Sequence, residues 1–435
     1  MERLYSIFLQ HPIISTDSRN CPKDSLFFAL KGENFNANAF ALSALEKGSA
    51  YAVVDDEKYA IDNRFILVEN TIETLQKLAT FHRNKLGTKI IGITGTNGKT
   101  TTKELIAAAL SEKYNIHFTK GNFNNHIGVP LTLLQLKPEH QLAVIEMGAN
   151  HPGEIKILAE ITQPNVGIIT NVGKAHLEGF GSFEGVMRTK AELYNYIFEN
   201  GTAIFINKDN DFLVDMATKA GFKLDQDNVK TYCLNAGNET CKTQGEISSC
   251  SPLLKMNCKI NGSTFKINSK LVGAYNAENI LAAAAIASFF DLTNAEIKKG
   301  IEKYTPNNNR SQLTITEKNK LIVDAYNANP TSLKAAIQNF AQLKLKKKSL
   351  ILGDMLELGE QSSLDHQNIV DLLQQNNFSN VLLVGNEFSK TRNNYPCFNS
   401  VLELNDYLKL NPIAGHHILV KGSRGIKLEN AIELL

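Results

Sequence analysis

The chain has 435 residues, which at roughly 100–200 residues per domain suggests two to four domains. Its hydrophobic content of 43% and charged content of 21% are ordinary for a globular protein. The 46 basic and 44 acidic residues leave a net charge of +2, which gives no electrostatic reason to expect a nucleic acid as partner. The N-terminal apolar stretch is too short and interrupted for a secretory signal, and no segment approaches the roughly 18 apolar residues of a membrane helix. We therefore expect a cytoplasmic protein without membrane insertion.

The six cysteines fit a reducing compartment. Four of them lie close together in the chain, but none is spaced as C-x-x-C. Zinc binding stays open for this group, although the spacing favours unpaired, partly buried thiols. The four are Cys233, Cys241, Cys250 and Cys258.

The first block, residues 1–86, holds short elements at 26–30, 51–54 and 65–68 and a helical stretch at 71–85. This pattern predicts a small mixed domain.

The second block, residues 87–306, opens with the apolar run 89–94, a predicted buried strand. After a Gly-rich turn, a helix follows whose apolar residues at 105, 106, 109 and 110 share one face. Apolar strands at 142–145, 166–170 and 203–206 alternate with helical stretches, which indicates a mostly parallel sheet. The alternating segment 254–267 surrounds Asn261-Gly262, a hairpin signal, and the Ala-rich helix 277–290 closes the block.

The third block, residues 307–435, alternates strand and helix from 321–324 through 332–343, 349–352 and 364–375. Strands at 380–384 and 417–420 complete it. We predict a Rossmann-like, doubly wound α/β domain for this block.

A phosphate-binding loop is predicted at the end of the strand 89–94, where residues 90–102 read IIGITGTNGKTTT. Glycines such as Gly95 and Gly98 let backbone N–H groups point at a phosphate, and the start of a helix adds a favourable dipole. Lys99 can reach the outer phosphates, and the hydroxyl of Thr100 can bind Mg²⁺. The general pattern has Gly where this chain has Ile93, so the loop is not a standard Walker A sequence.

Three polar residues beyond the loop differ in how strongly the sequence alone supports a functional role for them. Glu146 ends an apolar strand, where a carboxylate is well placed to hold Mg²⁺, although a structural partner would explain it too. His176 lies in a Gly-rich loop after a strand, and a lone histidine is usually structural or solvated. Lys190 is by itself an ordinary lysine on an amphipathic helix.

The loop TGTNGKTTT resembles the ATP loop of the Mur ligases and of their relatives, the folylpolyglutamate synthetases. EMGANHPGEI at 146–155, GNFNNHIGVPLTLL at 121–134, GDMLELGEQS at 353–362 and KGSRGIKLE at 421–429 all resemble the branch of the Mur ligases that adds D-alanyl-D-alanine. The first block matches a UDP-binding domain more loosely, with Asn36-Ala37-Asn38 where the family usually has Asp-Gly-His.

The resemblance implies a set of metal ligands. Thr100, Glu146, His176 and Lys190 occupy the matching positions, with His176 on a second metal ion. The lysine that matches Lys190 is carbamylated by CO₂ in the family, which replaces an ammonium that would repel Mg²⁺ with oxygen ligands. The implied catalytic residues are Lys99, Glu146, His176 and Lys190.

The resemblance also implies contacts to ATP and to the carboxylate substrate. Asn279, with Asn276 close by, would face the adenine, Arg310 the phosphates, and Asp324 and Tyr326 the ribose. The expected nucleotide contacts are Gly95, Thr96, Asn97, Gly98, Lys99, Thr100, Thr101, Asn276, Asn279, Arg310, Asp324 and Tyr326. The expected substrate contacts are Ser18, Arg19, Lys31, Asn124 and Asn125.

The activity implied by the resemblance is ATP-dependent joining of D-alanyl-D-alanine to a UDP-N-acetylmuramoyl-tripeptide, by a monomer with three α/β domains that uses Mg²⁺. Two other hypotheses stay open. A sibling amino-acid-adding ligase or a folate polyglutamylating enzyme would share the loop, and a regulator that binds nucleotide without catalysis would not need Lys99, Glu146, His176 and Lys190 together. The third residue of the tripeptide is not given by the sequence.

Overall fold

The structure is a computed structural model that describes residues 1–32, 35–175, 177–234 and 241–435. Strands and helices alternate along most of the chain, as the sequence predicts, and the strands form three main sheets in chain order.

The first part of the chain supplies the elements α1 (Glu2–Gln10), β1 (Ile14–Ser15), β2 (Leu26–Phe28), β3 (Lys31–Gly32), β4 (Phe35–Asn36), α2 (Ala41–Glu46), β5 (Tyr51–Val54), β6 (Phe65–Leu67) and α3 (Thr71–Leu86). Its main sheet is parallel, with the strand order β1-β2-β5-β6, and β3 and β4 form a separate antiparallel pair. The helix α3 is capped by Asn70, whose side chain accepts a hydrogen bond from the backbone N–H of Glu73, and it ends before Gly87 at φ +68°.

The central part of the chain supplies the elements β7 (Lys89–Thr94), α4 (Lys99–Leu110), β8 (Ile116–Phe118), α5 (Gly128–Leu133), β9 (Leu142–Glu146), α6 (Glu154–Thr162), β10 (Val166–Ile169), α7 (Leu177–Phe180), α8 (Phe183–Asn200), β11 (Ala203–Asn207), α9 (Asp211–Lys219), β12 (Val229–Cys233), β13 (Thr243–Cys250), β14 (Leu253–Ile260), β15 (Ser263–Val272), α10 (Asn276–Phe289) and α11 (Asn294–Lys303).

The central sheet has the strand order β15-β14-β13-β12-β11-β10-β7-β9-β8. It is parallel from β8 to β13, and β14 and β15 add an antiparallel hairpin. The predicted hairpin turn is confirmed, because Asn261 and Gly262 have φ of +49° and +82°, the pattern of a type I′ turn.

The third part of the chain supplies the elements β16 (Gln312–Ile315), β17 (Lys320–Asp324), α12 (Pro330–Gln342), β18 (Lys348–Gly353), α13 (Ser362–Gln375), β19 (Val381–Val384), α14 (Asn386–Ser389), β20 (Cys397–Phe398), α15 (Val401–Leu410) and β21 (His417–Lys421). Its sheet has the strand order β16-β17-β21-β18-β19-β20 and is parallel except for the edge strand β16. The predicted doubly wound arrangement is confirmed, and the short strand β16 was not predicted.

One apolar core joins the first part of the chain to the central sheet. Phe8 of α1 and Leu75 and Leu78 of α3 belong to the same buried cluster as Ile90 of β7 and Ile145 of β9. Two further clusters lie on the two faces of the third sheet, and one of them includes Val272 of β15 from the central sheet. The domain limits near residues 86 and 306 stay a prediction, and the first of them separates helices that share a core with the second block.

Candidate active site

The loop after β7 has the geometry of a phosphate cradle. Gly95 has φ +141°, and a Cβ there would lie 2.1 Å from the hydroxyl oxygen of Thr170. Gly98 has φ +78°, and a Cβ there would lie 2.6 Å from the Asn279 side-chain oxygen. Only glycine fits both places, and the loop leads straight into the N-terminus of α4 at Lys99, where backbone N–H groups favour an anion.

The end of the neighbouring strand β10 fixes the shape of this loop. The backbone N–H of Asn97 donates to the Asn171 side chain at 2.9 Å, and the Thr170 hydroxyl donates to the Asn97 carbonyl at 2.7 Å. Gly173 donates its N–H to the Thr96 hydroxyl at 3.0 Å. These hydrogen bonds within the protein hold the shape of the cradle.

Lys99 lies across the cradle. Its Nζ donates to the carbonyls of Gly95 at 2.7 Å and Thr96 at 3.1 Å. Desolvation by the surrounding protein lowers the pKa of Lys99, with the charge of Arg310 acting in the same sense and that of Glu146 against it. These contacts place a cation where phosphate oxygens would arrive.

Glu146 ends β9 next to the cradle and is buried. Its Oε2 accepts a hydrogen bond from the Thr100 hydroxyl at 2.9 Å, and its Oε1 accepts one from the Asn124 amide at 2.9 Å. Because β9 and β7 are adjacent parallel strands, the carboxylate and the helix α4 meet at the same edge of the sheet.

Lys190 lies on α8 with only 3% of its surface exposed, and its Nζ is 5.4 Å from the centre of the Phe180 ring. Burial, with the repulsion of the Lys99 charge, lowers the pKa of Lys190 to about 7, against the carboxylates of Glu154 and Glu192. The structure thus places Lys190, which the sequence alone does not single out, in a buried environment that lowers its pKa. His176 lies outside the described residues, so its predicted role as a ligand stays a prediction.

A cavity of about 950 Å³, here the large cavity, lies at the carboxyl edges of the central and third sheets. It brings together most of the residues predicted for the site, namely Thr96, Asn97, Gly98, Lys99, Thr100, Thr101, Asn124, Asn125, Glu146, Asn276, Asn279, Arg310, Asp324 and Tyr326. Neither Gly95 nor Lys190 is part of the lining in the described portion of the chain.

Asn276 and Asn279 support the cradle from behind. The amide of Asn279 donates to the Asn276 oxygen at 2.8 Å, and its own oxygen accepts from the Thr102 hydroxyl at 3.0 Å. The Asn276 amide donates in turn to the Ser311 hydroxyl at 3.0 Å. Both side chains therefore have a structural use, and the predicted contact with adenine stays a prediction.

The third sheet supplies the opposite wall of the large cavity. The guanidinium of Arg310 lies 3.7 Å from the centre of the Tyr326 ring, a close cation–π contact. Asp324 pairs with Lys421 at 2.6 Å. The Asn329 amide donates to the Asn97 side chain at 2.8 Å, so the two walls meet directly at the phosphate loop.

The residues predicted to contact the substrate do not all lie at the large cavity. Asn125 and Asn124 border the large cavity, but the Asn125 side chain also accepts from the Gly128 N–H at 2.8 Å at the start of α5. Arg19 pairs with Asp17 at 2.8 Å, and Lys31 with Asp55 at 2.8 Å. Among the described residues, Ser18, Arg19 and Lys31 do not belong to this lining.

Sequence reasoning missed two contributors to the site. Lys103 is fully buried one turn after Lys99, with Nζ 3.7 Å from Oε2 of Glu146. Asn329 reaches the phosphate loop, yet its sequence signal, Asn before Pro, indicates only a helix N-cap. Both depend on which elements pack together, which no local pattern reveals.

The cysteine group shows no sign of a metal centre. Cys241 and Cys258 are buried, and burial raises the pKa of the Cys258 thiol to about 12. In the described ranges, no three His, Cys, Asp or Glu side chains lie close enough together to hold a metal ion. Within those ranges no helix is both long and apolar enough to cross a bilayer.

A glycine cradle at the carboxyl edge of a parallel sheet, with Thr100 and Glu146 beside it, defines a phosphate-loop nucleotide-binding enzyme. Comparison with known proteins narrows this class. Residues 93–287 match the Mur ligase middle domain, and residues 309–424 match the Mur ligase glutamate ligase domain. The chain belongs to the Mur ligase family.

Similar proteins match over nearly the whole chain. The UDP-N-acetylmuramoyl-tripeptide–D-alanyl-D-alanine ligase of Bacillus subtilis is 35% identical, covering 97% of this chain and 92% of its own length. The ligase of the same name from Escherichia coli is 35% identical, with coverages of 97% and 93%. A crystal structure of MurF from Acinetobacter baumannii has a TM-score of 0.84 at 30% identity, covering 97% of this chain and 92% of that one. MurF of Thermotoga maritima in complex with ADP has a TM-score of 0.85 at 25% identity, with coverages of 98% and 97%.

Proposed function

We propose that this chain is the ATP-dependent ligase that joins D-alanyl-D-alanine to UDP-N-acetylmuramoyl-tripeptide and so forms the pentapeptide precursor of peptidoglycan. The observation that carries the proposal is the large cavity, where the phosphate loop and Glu146 face Arg310 and Tyr326 of the third sheet. The relatives that match nearly the full chain bear this activity in their names.

The reaction needs an activated acid, because an amine that meets a carboxylate only exchanges a proton with it. A carboxylate oxygen of the tripeptide bonds to the γ-phosphorus of ATP, and ADP leaves. The amine of D-alanyl-D-alanine then bonds to the acyl carbon of the resulting acyl phosphate. Inorganic phosphate leaves, and the nitrogen loses its proton.

The loop and its lysine stabilise the first of these steps. Charge accumulates on the oxygens of the transferred phosphoryl group, and Lys99 with the N–H groups at the start of α4 faces that charge. Arg310, which lies against the Tyr326 ring, adds a cation from the third part of the chain, and Asp324 and Tyr326 would contact the ribose. Closure of the two walls excludes water from the acyl phosphate.

Thr100 and Glu146 fit a Mg²⁺ ion. Both would hold it through oxygen donors, a hydroxyl and a buried carboxylate, and these two oxygens lie 2.9 Å apart. When bound, Mg²⁺ neutralises charge on the phosphate oxygens.

Lys190 is proposed to carry a carbamate and His176 to bind the second metal ion, both from the family resemblance. The pKa of about 7 supports the first part, because the neutral amine is the form that reacts with CO₂. The amine nitrogen bonds to the carbon of CO₂, a proton leaves, and an anionic carbamate with two oxygen donors results.

The substrate is proposed to extend from the large cavity to the first sheet. Asn124, whose amide also holds Glu146, and Asn125 would contact the muramoyl peptide. Ser18, Arg19 and Lys31 would bind the UDP end. For Arg19 this requires release from Asp17, an exposed pair of the kind that contributes little stability.

A substrate panel tests the function. We expect release of ADP and phosphate only when UDP-N-acetylmuramoyl-tripeptide and D-alanyl-D-alanine are both present. Mass spectrometry should then detect the pentapeptide. The enzyme is proposed to be cytoplasmic and monomeric. Comparison of turnover with tripeptides that carry diaminopimelate or lysine in third position identifies the natural acyl substrate. Turnover with single amino acids or folates but not with the dipeptide would assign a sibling activity, and nucleotide binding without turnover would assign a regulator.

A further inference from the structure

Lys103 is a buried cation that the proposed reaction does not use. It lies on α4 one turn after Lys99, and no part of its side chain is exposed. Among the described residues its Nζ has no hydrogen-bond partner. An ammonium group in such a place is costly unless opposite charges compensate it. The compensation for Lys103 must therefore come from carboxylates nearby.

Two carboxylates face this ammonium group. Oε1 of Glu104 lies 3.2 Å from the Lys103 Nζ, and Oε2 of Glu146 lies 3.7 Å from it. The Glu104 side chain is 24% exposed and the Glu146 side chain only 2%. Because water screens a buried pair much less than an exposed one, the charge of Lys103 acts strongly on Glu146.

The other close contacts of the Glu146 carboxylate are neutral. Its two oxygens accept from the Thr100 hydroxyl and the Asn124 amide, each at 2.9 Å. Lys99, the second cation near this carboxylate, donates instead to two carbonyls of its own loop. Lys103 is thus the cation that pairs with Glu146 and offsets its negative charge.

This pairing bears on the Mg²⁺ proposed for Thr100 and Glu146. A carboxylate whose charge is offset by an ammonium group attracts a free divalent cation only weakly. A nucleotide brings negative phosphate oxygens of its own, which supply the missing attraction. Lys103 does not belong to the lining of the large cavity in the described part of the chain, so it reaches neither nucleotide nor substrate and acts through Glu146.

We infer that Lys103 is a positioning residue that suppresses the binding of free Mg²⁺ at Glu146, so that this carboxylate accepts the ion only together with the phosphates of the nucleotide. The inference rests on the metal site proposed above. The phosphate cradle of the nucleotide-free enzyme then stays free of the ion, and ion and phosphates enter it together.

Metal binding to the nucleotide-free enzyme tests the inference. Mn²⁺ has the same charge and a similar preference for oxygen ligands, and electron paramagnetic resonance measures its free concentration directly. The unmodified enzyme binds Mn²⁺ at least about tenfold more weakly alone than in the presence of ADP. Lys103→Met, which removes the charge and keeps the length, binds Mn²⁺ alone about ten- to a hundredfold more tightly than the unmodified enzyme does. That is the range by which one neighbouring charge changes the affinity of an ionisable group for a proton.

The sign of the change separates this role from a merely structural one. If Lys103 only held Glu146 in place, its loss would release the carboxylate and weaken Mn²⁺ binding. Lys103→Gln is a second neutral variant for the case that Lys103→Met does not fold. The gain in affinity disappears when Glu146→Gln is added to either variant, which locates the gained ion at this carboxylate. Lys113→Met, an exposed lysine just beyond the end of α4, is the matched control and binds Mn²⁺ as the unmodified enzyme does.

The outcomes also distinguish the inference from the metal site beneath it. Mn²⁺ affinity that is unchanged or lower in a folded neutral variant of Lys103 overturns the inference alone. If Glu146→Gln by itself binds Mn²⁺ with ADP as tightly as the unmodified enzyme, the proposed metal site is wrong, and the inference fails with it.

Discussion

Replacement of Lys190 tests the least obvious assignment in the site. An ordinary lysine has a pKa of about 10.5, so only about one amine in three thousand is neutral at pH 7. Lys190, with its pKa lowered to about 7 by burial and the charge of Lys99, is about half neutral there. The reactive form is thus more than a thousandfold enriched, and Lys190→Ala abolishes nearly all turnover because no carbamate forms.

The assay compares ADP release in CO₂-depleted buffer and after addition of bicarbonate. The unmodified enzyme loses activity on depletion and regains it, and at fixed dissolved CO₂ its activity falls as the pH drops below about 7, where Lys190 becomes protonated. Lys190→Ala responds only to a small carboxylic acid that occupies the vacated space, and Lys190→Arg does not respond. Arg188→Ala, on the exposed face of the same helix, is the control and behaves as the unmodified enzyme does. Turnover by Lys190→Ala close to that of the unmodified enzyme would refute the assignment.

Other parts of the site give predictions of their own. Lys99→Ala lowers kcat by roughly a hundredfold or more, the scale of one lost electrostatic contact, and near-normal turnover would remove Lys99 from the mechanism. Gly95→Ala abolishes ATP binding measured by calorimetry, because its Cβ would lie 2.1 Å from the Thr170 hydroxyl; binding at unchanged affinity would contradict this account. Asn329→Ala costs about 1 kcal/mol of stability from loss of its helix cap and also raises the KM for ATP. Ser400→Ala loses a similar cap far from the loop and should leave that KM unchanged; equal KM effects would show that the link to the loop is irrelevant.

Local patterns were enough to predict most elements and the phosphate cradle. The strand β7 and the hairpin at Asn261-Gly262 follow from apolar runs and turn residues, because these signals depend on neighbours in the chain. The edge strand β16 was missed although Gln312–Ile315 alternates polar and apolar residues, because a run of four residues is at the lower limit of that signal.

The environment of a side chain was beyond prediction from sequence. Lys190 owes its low pKa to burial beneath distant elements, and Asn329 reaches the phosphate loop from the start of a helix in the third sheet's domain. The family resemblance named the first and not the second, because it carries over assigned positions but not every contact between elements. For Asn276 and Asn279 the resemblance predicts ligand contacts, whereas the structure shows hydrogen bonds within the protein that no sequence motif predicted.

The apolar core that joins α1 and α3 to the central sheet makes these regions one cooperative unit in unfolding. Phe8, Leu75 and Leu78 are covered only while Ile90 and Ile145 stay in place, so neither region opens without exposing the other's core. Amide hydrogen exchange should therefore give β2 and β7 similar opening free energies, while the third sheet, whose two clusters take only one buried residue, Val272, from the central sheet, exchanges separately. Nucleotide binding would then be lost in two stages. The third sheet separates first, and the first and central sheets, which still carry the phosphate loop, unfold afterwards.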